Sequence, residues 1–293
     1  MIILIKKYKL IKNIKSLIIL LLSLLLIFLI KSTFFYSNLN DNPKVMKVHF
    51  INVGQGDSIL IQVNNKNMLI DSGPKDGKKK LLTYLESINL DTFDYIIATH
   101  PHEDHIGNMA YIINNYDVLN FYSPKAISNT SSFETMTEAL IRKNLKIKVI
   151  KANTNSITLG ENTLVEVFSP NNESYENLNN YSPIIKISYG NTSFLFTGDA
   201  EELAEKEAIN NNSNLKSDVL KIGHHGSSTS SSLEFIEKVA PSISVISVGK
   251  YNSYNHPTDS TLEKLENTKI YRTDLNNNII IESDGNSLKT SFK

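Results

Sequence analysis

Two different patterns of hydrophobic residues divide the chain near residue 40. Residues 17–30 are Leu, Ile and Phe with a single Ser23, and lysines precede them at positions 6, 7, 9, 12 and 15. This run has the length of a signal-peptide core, and its extension to Tyr36 reaches the roughly 20 residues that cross a bilayer. The lysines would stay in the cytoplasm and place the remainder of the chain outside.

We therefore expect a basic cytoplasmic tail (1–16), an uncleaved signal-anchor or transmembrane segment (17–36), a polar linker (37–44) and an extracellular domain (45–293). The chain would then be a single-pass protein of the cell membrane. The alternative is that the apolar segment is a cleaved signal peptide, in which case the domain is secreted.

Beyond residue 45, short apolar runs alternate with amphipathic segments. Apolar runs bounded by Asn, Gly or Pro are typical of strands, and we predict strands at 45–53, 59–63, 67–71, 93–99, 118–122, 146–150, 163–168, 184–189, 193–196, 219–222, 243–248, 269–272 and 278–282. Apolar residues three or four positions apart predict helices at 79–90, 106–115, 134–144, 200–209, 232–239 and 259–266. This alternation fits layers of helix, sheet, sheet and helix, and it also fits a doubly wound sheet.

Composition narrows the chemistry. The chain has no cysteine among its 293 residues, which excludes disulfides, thiolate ligands, a cysteine nucleophile and a lipid-modified cysteine anchor. Because residues 1–44 hold seven of the 30 basic and one of the 30 acidic residues, the remainder carries 23 bases and 29 acids, a net charge of −6. Such a domain does not offer the broad basic track of a protein that follows a long nucleic acid.

Four metal-ligating side chains lie within six residues directly after the strand predicted at 93–99. They form the pattern H-x-H-x-D-H and are His100, His102, Asp104 and His105. Imidazole and carboxylate groups are the ligands of zinc and similar divalent metals. Groups this close in sequence can point at one place only if the backbone turns sharply, and Pro101 and Gly107 favour such a turn.

Three further segments carry ligand-type residues at strand ends or turns. The strand at 193–196 leads to Asp199, and the next predicted strand leads to His224 and His225. His256 lies in an Asn-His-Pro-Thr turn before a predicted helix. Loops at the carboxyl ends of strands form the binding crevice of α/β folds, so we expect these groups to share one site.

These motifs, taken in order, resemble the metallo-β-lactamase superfamily and, within it, the extracellular hydrolase-like domain of the competence DNA-uptake family ComEC. The resemblance runs from about residue 45 to the end of the chain. It includes Phe-Ile-Asn-Val-Gly-Gln-Gly-Asp-Ser at Phe50–Ser58 and Ile-Asp-Ser-Gly at Ile70–Gly73. It implies an α/β fold, the four-layer αββα sandwich of the superfamily, and a metal-dependent hydrolase.

The resemblance also implies a site for two divalent metal ions. His100 and His102 would hold the first ion. Asp104 and His105 would hold the second, and Asp199 would bridge the two ions. Zn²⁺ is the expected metal, with Mn²⁺ as the alternative.

One member of the pair His224 and His225 would complete the second site. We predict His224, because it comes immediately after the strand, which leaves His225 to face the substrate or to orient a ligand. Many superfamily members supply another histidine from the segment before the Asp199 strand, but residues 177–183 contain none. With fewer imidazoles, the first ion would be held less tightly and could be manganese.

Other polar residues are expected around the metals. Asp57 and Asp71 would hydrogen-bond residues that hold the metals, although either could instead be a structural residue of its own turn. Contact with an anionic substrate is expected of Lys221, Ser227 and His256. His49 lies inside a predicted strand and is expected to be a core histidine.

The leading hypothesis is a phosphodiesterase or nuclease that uses a metal-bound hydroxide on an anionic phosphodiester, with DNA as one candidate. Its catalytic residues would be Asp104, Asp199, His225 and His256. One alternative is another hydrolase on the same fold, for lactones, β-lactams or choline-phosphate esters. The second alternative is a non-catalytic binding module associated with competence, although such a module has no need of the full set of metal ligands.

Features that the sequence does not contain limit the functional hypotheses further. The sequence has no G-x-S-x-G elbow and no phosphate-binding loop, which excludes serine acylation and nucleotide hydrolysis by those routes. No multi-span segment follows residue 36. A role in DNA uptake would therefore need a separate competence channel protein.

Overall fold

The computed structural model describes Met1, residues 21–29, Lys31, residues 45–211 and residues 214–293. It divides into two units, Met1–Lys44 and Val45–Lys293. In the first unit, residues 21–29 and 31 are helical. The rest of the predicted tail, the rest of the predicted membrane segment and the linker lie outside the described residues. None of the described helices is both long enough and apolar enough to cross a membrane.

The second unit alternates strands and helices. The strands are β1 (Met46–Phe50), β2 (Ile59–Val63), β3 (Lys66–Ile70), β4 (Thr92–Phe93), β5 (Tyr95–Ile97), β6 (Asp117–Val118), β7 (Phe121–Ser123), β8 (Ile147–Val149), β9 (Thr163–Val167), β10 (Ile185–Tyr189), β11 (Thr192–Phe196), β12 (Val219–Lys221), β13 (Ile243–Ile246), β14 (Lys269–Arg272), β15 (Ile279–Ser283) and β16 (Leu288–Phe292). The helices are α1 (Lys78–Glu86), α2 (Glu103–Ile106), α3 (Met109–Asn115), α4 (Ser131–Arg142), α5 (Glu202–Asn210), α6 (Leu233–Val239), α7 (Asp259–Lys264) and α8 (Thr273–Asn276). Short 3₁₀ turns occupy Lys75–Gly77, Leu178–Tyr181 and Gly223–Gly226.

Two large mixed sheets organise these strands. The larger sheet has eight strands in the order β16-β15-β1-β2-β3-β5-β7-β8, and the smaller has six in the order β14-β13-β12-β11-β10-β9. Strands β3, β5, β7 and β8 run parallel, as do β11 to β14. In each sheet, the carboxyl ends of several strands therefore meet at one edge.

The two sheets pack face to face. Their inward-facing residues form one hydrophobic cluster, in which the ring of Phe50 on β1 lies 6.2 Å from that of Phe196 on β11. The other face of the larger sheet packs on α1, α3 and α4 through residues such as Leu69 and Ile112. The other face of the smaller sheet packs on α5 and α6 through Leu195, Ala204 and Phe235. This arrangement confirms the four-layer αββα sandwich rather than a doubly wound sheet.

A few predicted elements differ from the structure. The strand predicted at 93–99 divides into β4 and β5, because β4 leaves the large sheet and pairs with β6. The helix predicted at 106–115 begins earlier and divides into α2 and α3. Strand β16 was not predicted, because it is an edge strand whose residues are mostly exposed and its sequence lacks apolar alternation.

His49 is a core histidine, as predicted. It lies buried in β1, and its Nδ1 is 2.7 Å from the hydroxyl of Tyr84 on α1. Burial, reinforced by the charge of Lys47, lowers the pKa of His49 to about 4. The folded domain therefore holds this imidazole neutral at pH values where the unfolded chain protonates it.

We expect this histidine to make the domain acid-sensitive. The pKa is depressed in the folded state, so stability is complete above the unfolded value of about 6.5 and decreases as the pH falls towards 4. Between pH 7 and pH 5 the loss attributable to His49 should be about 2 kcal/mol. Denaturant unfolding of the metal-free full chain and of His49→Gln, at both pH values, measures it. Equal pH dependence of the two proteins would contradict the assignment.

Candidate metal centre

Backbone hydrogen bonds hold the H-x-H-x-D-H loop against two neighbouring loops. The amide of Asp57 donates to the carbonyl of Asp104 (3.2 Å), and the amide of Ser72 donates to the carbonyl of His105 (2.7 Å). Gly107 is required by close packing, because a Cβ there would lie within 2.8 Å of backbone atoms of Gly73, Lys75 and Glu103. The loop is therefore fixed at the end of β5 by its surroundings as well as by its own turn.

Asp199 lies at the centre of a compact group of ligand-type atoms. Its Oδ2 is 3.2 Å from Nε2 of His105 and 3.5 Å from Nε2 of His225. Oδ2 of Asp104 is 3.3 Å from Nε2 of His225 and 4.0 Å from Nε2 of His105. The four ligand atoms lie within 4.8 Å of one another, a spacing that suits a single bound cation.

His100 and His102 lie together on another side of Asp199. Nε2 of His100 is 2.9 Å from Nδ1 of His102 and 3.9 Å from Oδ2 of Asp199. The structure thus brings both predicted ligands of the first ion to the site. In the described residues, however, they do not belong to the compact group of donors around Asp199.

Two hydrogen bonds orient the imidazoles of the compact group. Nδ1 of His105 donates to Oδ2 of Asp71 (2.8 Å), and Nδ1 of His225 donates to the carbonyl of Ser247 (2.8 Å). Thr99 in turn donates to both carboxylate oxygens of Asp71. In the neutral form of each ring, with the proton on Nδ1, Nε2 presents a lone pair to the site. Asp71 is therefore placed as the sequence predicts, beside a candidate ligand.

The structure places His225, and not His224, in the group with Asp104, His105 and Asp199. Both histidines have positive φ, 45° and 54°, and the left-handed turn sends their rings in different directions. His225 is buried, whereas His224 is partly exposed with Nε2 at 3.7 Å from Oδ2 of Asp199. The prediction that His224 completes the second metal site is corrected accordingly.

Lys221 has no exposed side-chain surface, so the prediction that it contacts substrate is wrong. Its side chain is fully buried, and its ammonium pairs with Asp57. The same ammonium donates to the carbonyl of Gly198 (2.8 Å). Lys221 and Asp57 are both buried, next to the candidate ligand Asp199.

The carboxylate of Asp57 does not hydrogen-bond a candidate ligand, contrary to the prediction, and the contact of Asp57 with Asp104 is made by its backbone amide. Its carboxylate lies 3.6 Å from Nδ1 of His225 and 4.0 Å from Nδ1 of His105. Those two nitrogens already donate to Ser247 and Asp71. The carboxylate pairs with a lysine instead.

His256 and Ser227 differ in how they face the site. The half-buried ring of His256 lies 5.6 Å from the ring of His224 and stacks on Tyr254 at 5.7 Å. Ser227 is buried, and its hydroxyl bonds that of Thr229 (3.0 Å). His256 therefore borders the open side, whereas the Ser227 hydroxyl is engaged within its own loop.

Sequence analysis missed several residues that support the candidate ligands. Residues 177–183, which contain no histidine, contribute Ser182 to the site. Its hydroxyl lies 3.2 Å from Nδ1 of His100 and accepts a hydrogen bond from the amide of Asp199. Glu201 lies 3.4 Å from Nδ1 of His224. Serine and glutamate occur too often in loops for the sequence alone to single these out.

The pKa values of His105 and Asp199 are shifted in opposite directions. Burial would lower the pKa of His105, but the carboxylates of Asp199, Asp71 and Asp104 outweigh it and hold the pKa well above its ordinary value. Burial would raise the pKa of Asp199, yet His105, followed by His225, holds it well below its ordinary value. The site therefore favours a positive charge next to Asp199.

The imidazoles of His100 and His102 are held neutral. Burial and the neighbouring His105 lower the pKa of His100 well below its ordinary value, although Asp199 partly offsets them. Burial and His105 also lower the pKa of His102. Neutral imidazoles are the form that binds metals.

The donor set fits a divalent metal ion. Nε2 of His105, Nε2 of His225 and Oδ1 of Asp199 are buried and have no hydrogen-bond partner among the described residues. Buried polar atoms are rarely left without a partner. Two imidazoles and two carboxylates, with Asp104 as the second carboxylate, are ligands for Zn²⁺ or Mn²⁺.

Comparison with known proteins gives relatives for most of the chain. The family profile described as "Metallo-beta-lactamase superfamily" matches residues 51–250. ComE operon protein 3 of Bacillus subtilis is 30% identical over 253 residues, which are 80% of this chain and 32% of that protein. Competence protein ComA of Neisseria gonorrhoeae is 26% identical over 226 residues, 76% of this chain and 30% of that protein. The chain spans about a third of the length of these relatives.

A solved structure shows the same fold. The metallo-beta-lactamase fold protein YhfI from Bacillus subtilis superposes with a TM-score of 0.57 at 13% sequence identity, covering 82% of this chain and all of that one. The region that matches the family profile is more than half of this chain, and it includes the H-x-H-x-D-H motif, Asp199 and the His-His turn. The chain belongs to the metallo-beta-lactamase superfamily, with competence proteins among its relatives.

Proposed function

We propose that the domain is a metal-dependent hydrolase of phosphodiesters, with DNA as a candidate substrate. The observation that carries the proposal is the convergence of imidazole and carboxylate donors on Asp199 from the loops of both sheets. Metal-dependent hydrolysis is supported by the fold family. The preference for phosphodiesters is our own inference, which starts from the name of one relative, Competence protein ComA.

The donors divide into two sets around Asp199. We assign Asp104, His105 and His225 to one ion, and His100 with His102 to the other. Two bound divalent ions supply an activated water and offset the charge of the phosphate. The fold contributes by burying these donors, because electrostatic interactions are stronger where water is excluded.

His224 and His256 form the open side and would act on the substrate directly. Glu201 lies 3.4 Å from Nδ1 of His224, which leaves Nε2 of that ring facing the site. We assign His224 to proton delivery from Nε2 to the leaving oxygen, in place of its predicted role as a ligand. His256, next to it, would bind the anionic substrate.

Asp199→Ala tests the proposed centre. We expect the wild-type full chain to bind about two Zn²⁺ or Mn²⁺ ions and to hydrolyse phosphodiesters. The variant should bind less metal and lose more than ~100-fold in kcat/KM, because both sets of donors lose their shared carboxylate. Metal analysis and assays on nitrophenyl diesters and DNA measure this.

Asp218→Ala is the matched control. Asp218 precedes β12 at the end opposite the site, and its carboxylate accepts from Ser193. This variant should keep its metal and its activity. Full activity of Asp199→Ala would refute the assignment, and activity of the wild type on lactones or β-lactams alone would favour another hydrolase.

His224→Ala separates proton delivery from binding. A nitrophenolate leaves without a proton, whereas an alkoxide needs one, so kcat should fall ~100-fold for an alkyl diester and little for a nitrophenyl diester. His256→Ala should instead raise KM for both substrates, and neither change should alter the metal content. Equal loss of kcat on both diesters in His224→Ala would show that this histidine does not deliver the proton.

We also propose that residues 17–36 anchor the domain to the membrane with residues 45–293 outside, where it would work with a separate competence channel protein. The lysine-rich start of the chain and the apolar run at residues 17–30 support this. Protease added to intact cells should digest the domain and leave the lysine-rich tail protected. Recovery of all the protein in membrane-free cytosol would contradict the anchor.

A further inference from the structure

Lys221 is a fully buried lysine for which the proposed chemistry has no task. It ends β12 in the smaller sheet, and its side chain has no exposed surface. Its ammonium pairs with Asp57 and also lies 3.8 Å from Oδ1 of Asp199. Burying an ammonium is costly unless its partners are well placed, so this arrangement calls for a physical reason.

On one side, the ammonium reaches the loops of the larger sheet. Asp57 lies in the loop between β1 and β2, and its amide donates to the carbonyl of Asp104 (3.2 Å). Its carbonyl accepts from the amide of Gly73 (2.8 Å). The Lys221–Asp57 ion pair therefore connects the smaller sheet to the loop that carries the H-x-H-x-D-H motif.

On the other side, the lysine holds the turn that carries Asp199. The carbonyl of Gly198 accepts from the Lys221 ammonium (2.8 Å) and from the amide of His224 (3.2 Å). The hydroxyl of Thr197 donates to the carbonyl of Lys221 (2.8 Å). Thr197 and Gly198, the two residues directly before Asp199, are therefore fixed relative to this lysine.

The two oxygens of Asp199 have different surroundings. Oδ2 faces imidazoles, with Nε2 of His105 nearest at 3.2 Å. Oδ1 is buried without a hydrogen-bond partner among the described residues and faces the Lys221 ammonium. The attraction between opposite charges at this distance is substantial in a buried site. It draws Oδ1 inward, and the carboxylate then presents Oδ2 to the donors.

We propose that Lys221 is a positioning residue that orients Asp199 and joins the two halves of the metal site before a metal binds. The proposal rests on the metal site of the proposed function and not on its substrate. The competing explanation is that Lys221 only neutralises Asp57. The two explanations differ in what happens when both charges are removed together.

Metal titration of the purified full chain distinguishes them. Lys221→Met keeps the length of the side chain and removes the charge, and it should weaken Zn²⁺ and Mn²⁺ binding by about 10- to 100-fold. The double variant Asp57→Asn/Lys221→Met also removes the charge of the Asp57 carboxylate, which Lys221→Met alone would leave buried without its partner. Its thermal midpoint without metal should recover towards wild type, whereas its metal affinity should stay low. Electron paramagnetic resonance of the Mn²⁺-loaded proteins should show a coupled pair in wild type and isolated ions in both variants.

Lys186→Met is the matched control, because Lys186 is also buried but donates to the carbonyl of Asn214. It should bind metal as wild type does. Recovery of metal affinity in the double variant would overturn the proposal, as would wild-type affinity in Lys221→Met. If both variants failed to fold, Lys221 would be a folding residue and the proposal would also fall. Absence of metal binding by the wild type would instead remove the proposed function itself.

Discussion

Oδ2 of Asp199 lies within 3.9 Å of an Nε2 atom from each of four histidines, and the arrangement of the loops follows from this convergence. His100 and His105 come from the larger sheet, and His224 and His225 come from the smaller one. A carboxylate and several imidazoles can be buried together only if their remaining atoms have partners. Asp71 and Ser247 supply those partners for the buried rings, and a cation at the centre would satisfy the atoms that still face each other.

The four-layer sandwich suits this requirement because each half of the site is built on a rigid sheet. The apolar cluster between the sheets fixes their spacing, and strand ends at one edge carry the polar loops. One contact that joins the two halves of the site is the Lys221–Asp57 pair, which is fully buried. A site assembled in this way depends on charge balance as well as on packing, and the buried ammonium of Lys221 lies beside two buried carboxylates, those of Asp57 and Asp199.

The sequence predicts most of the fold because the buried strands are short apolar runs, as in Ile59–Val63, where prediction and structure coincide. It also predicts which segments meet, since His100, Asp199 and His225 each follow such a strand. It does not predict the directions of side chains. The left-handed turn at His224 and His225 exchanges their expected places, and the burial of Lys221 depends on a partner 164 positions earlier in the chain, Asp57. Both depend on tertiary contacts that local patterns do not encode.

If Asp199 is shared by two metal ions, anomalous diffraction from crystals of the full chain grown with Mn²⁺ or Zn²⁺ will locate both. We expect two peaks, each about 2.0–2.3 Å from a carboxylate oxygen of Asp199. One should lie at that distance from Nε2 of His105 and of His225 as well, and the other from His100 and His102. A single peak away from Asp199, or metal bound by His224 in place of His225, would contradict this arrangement.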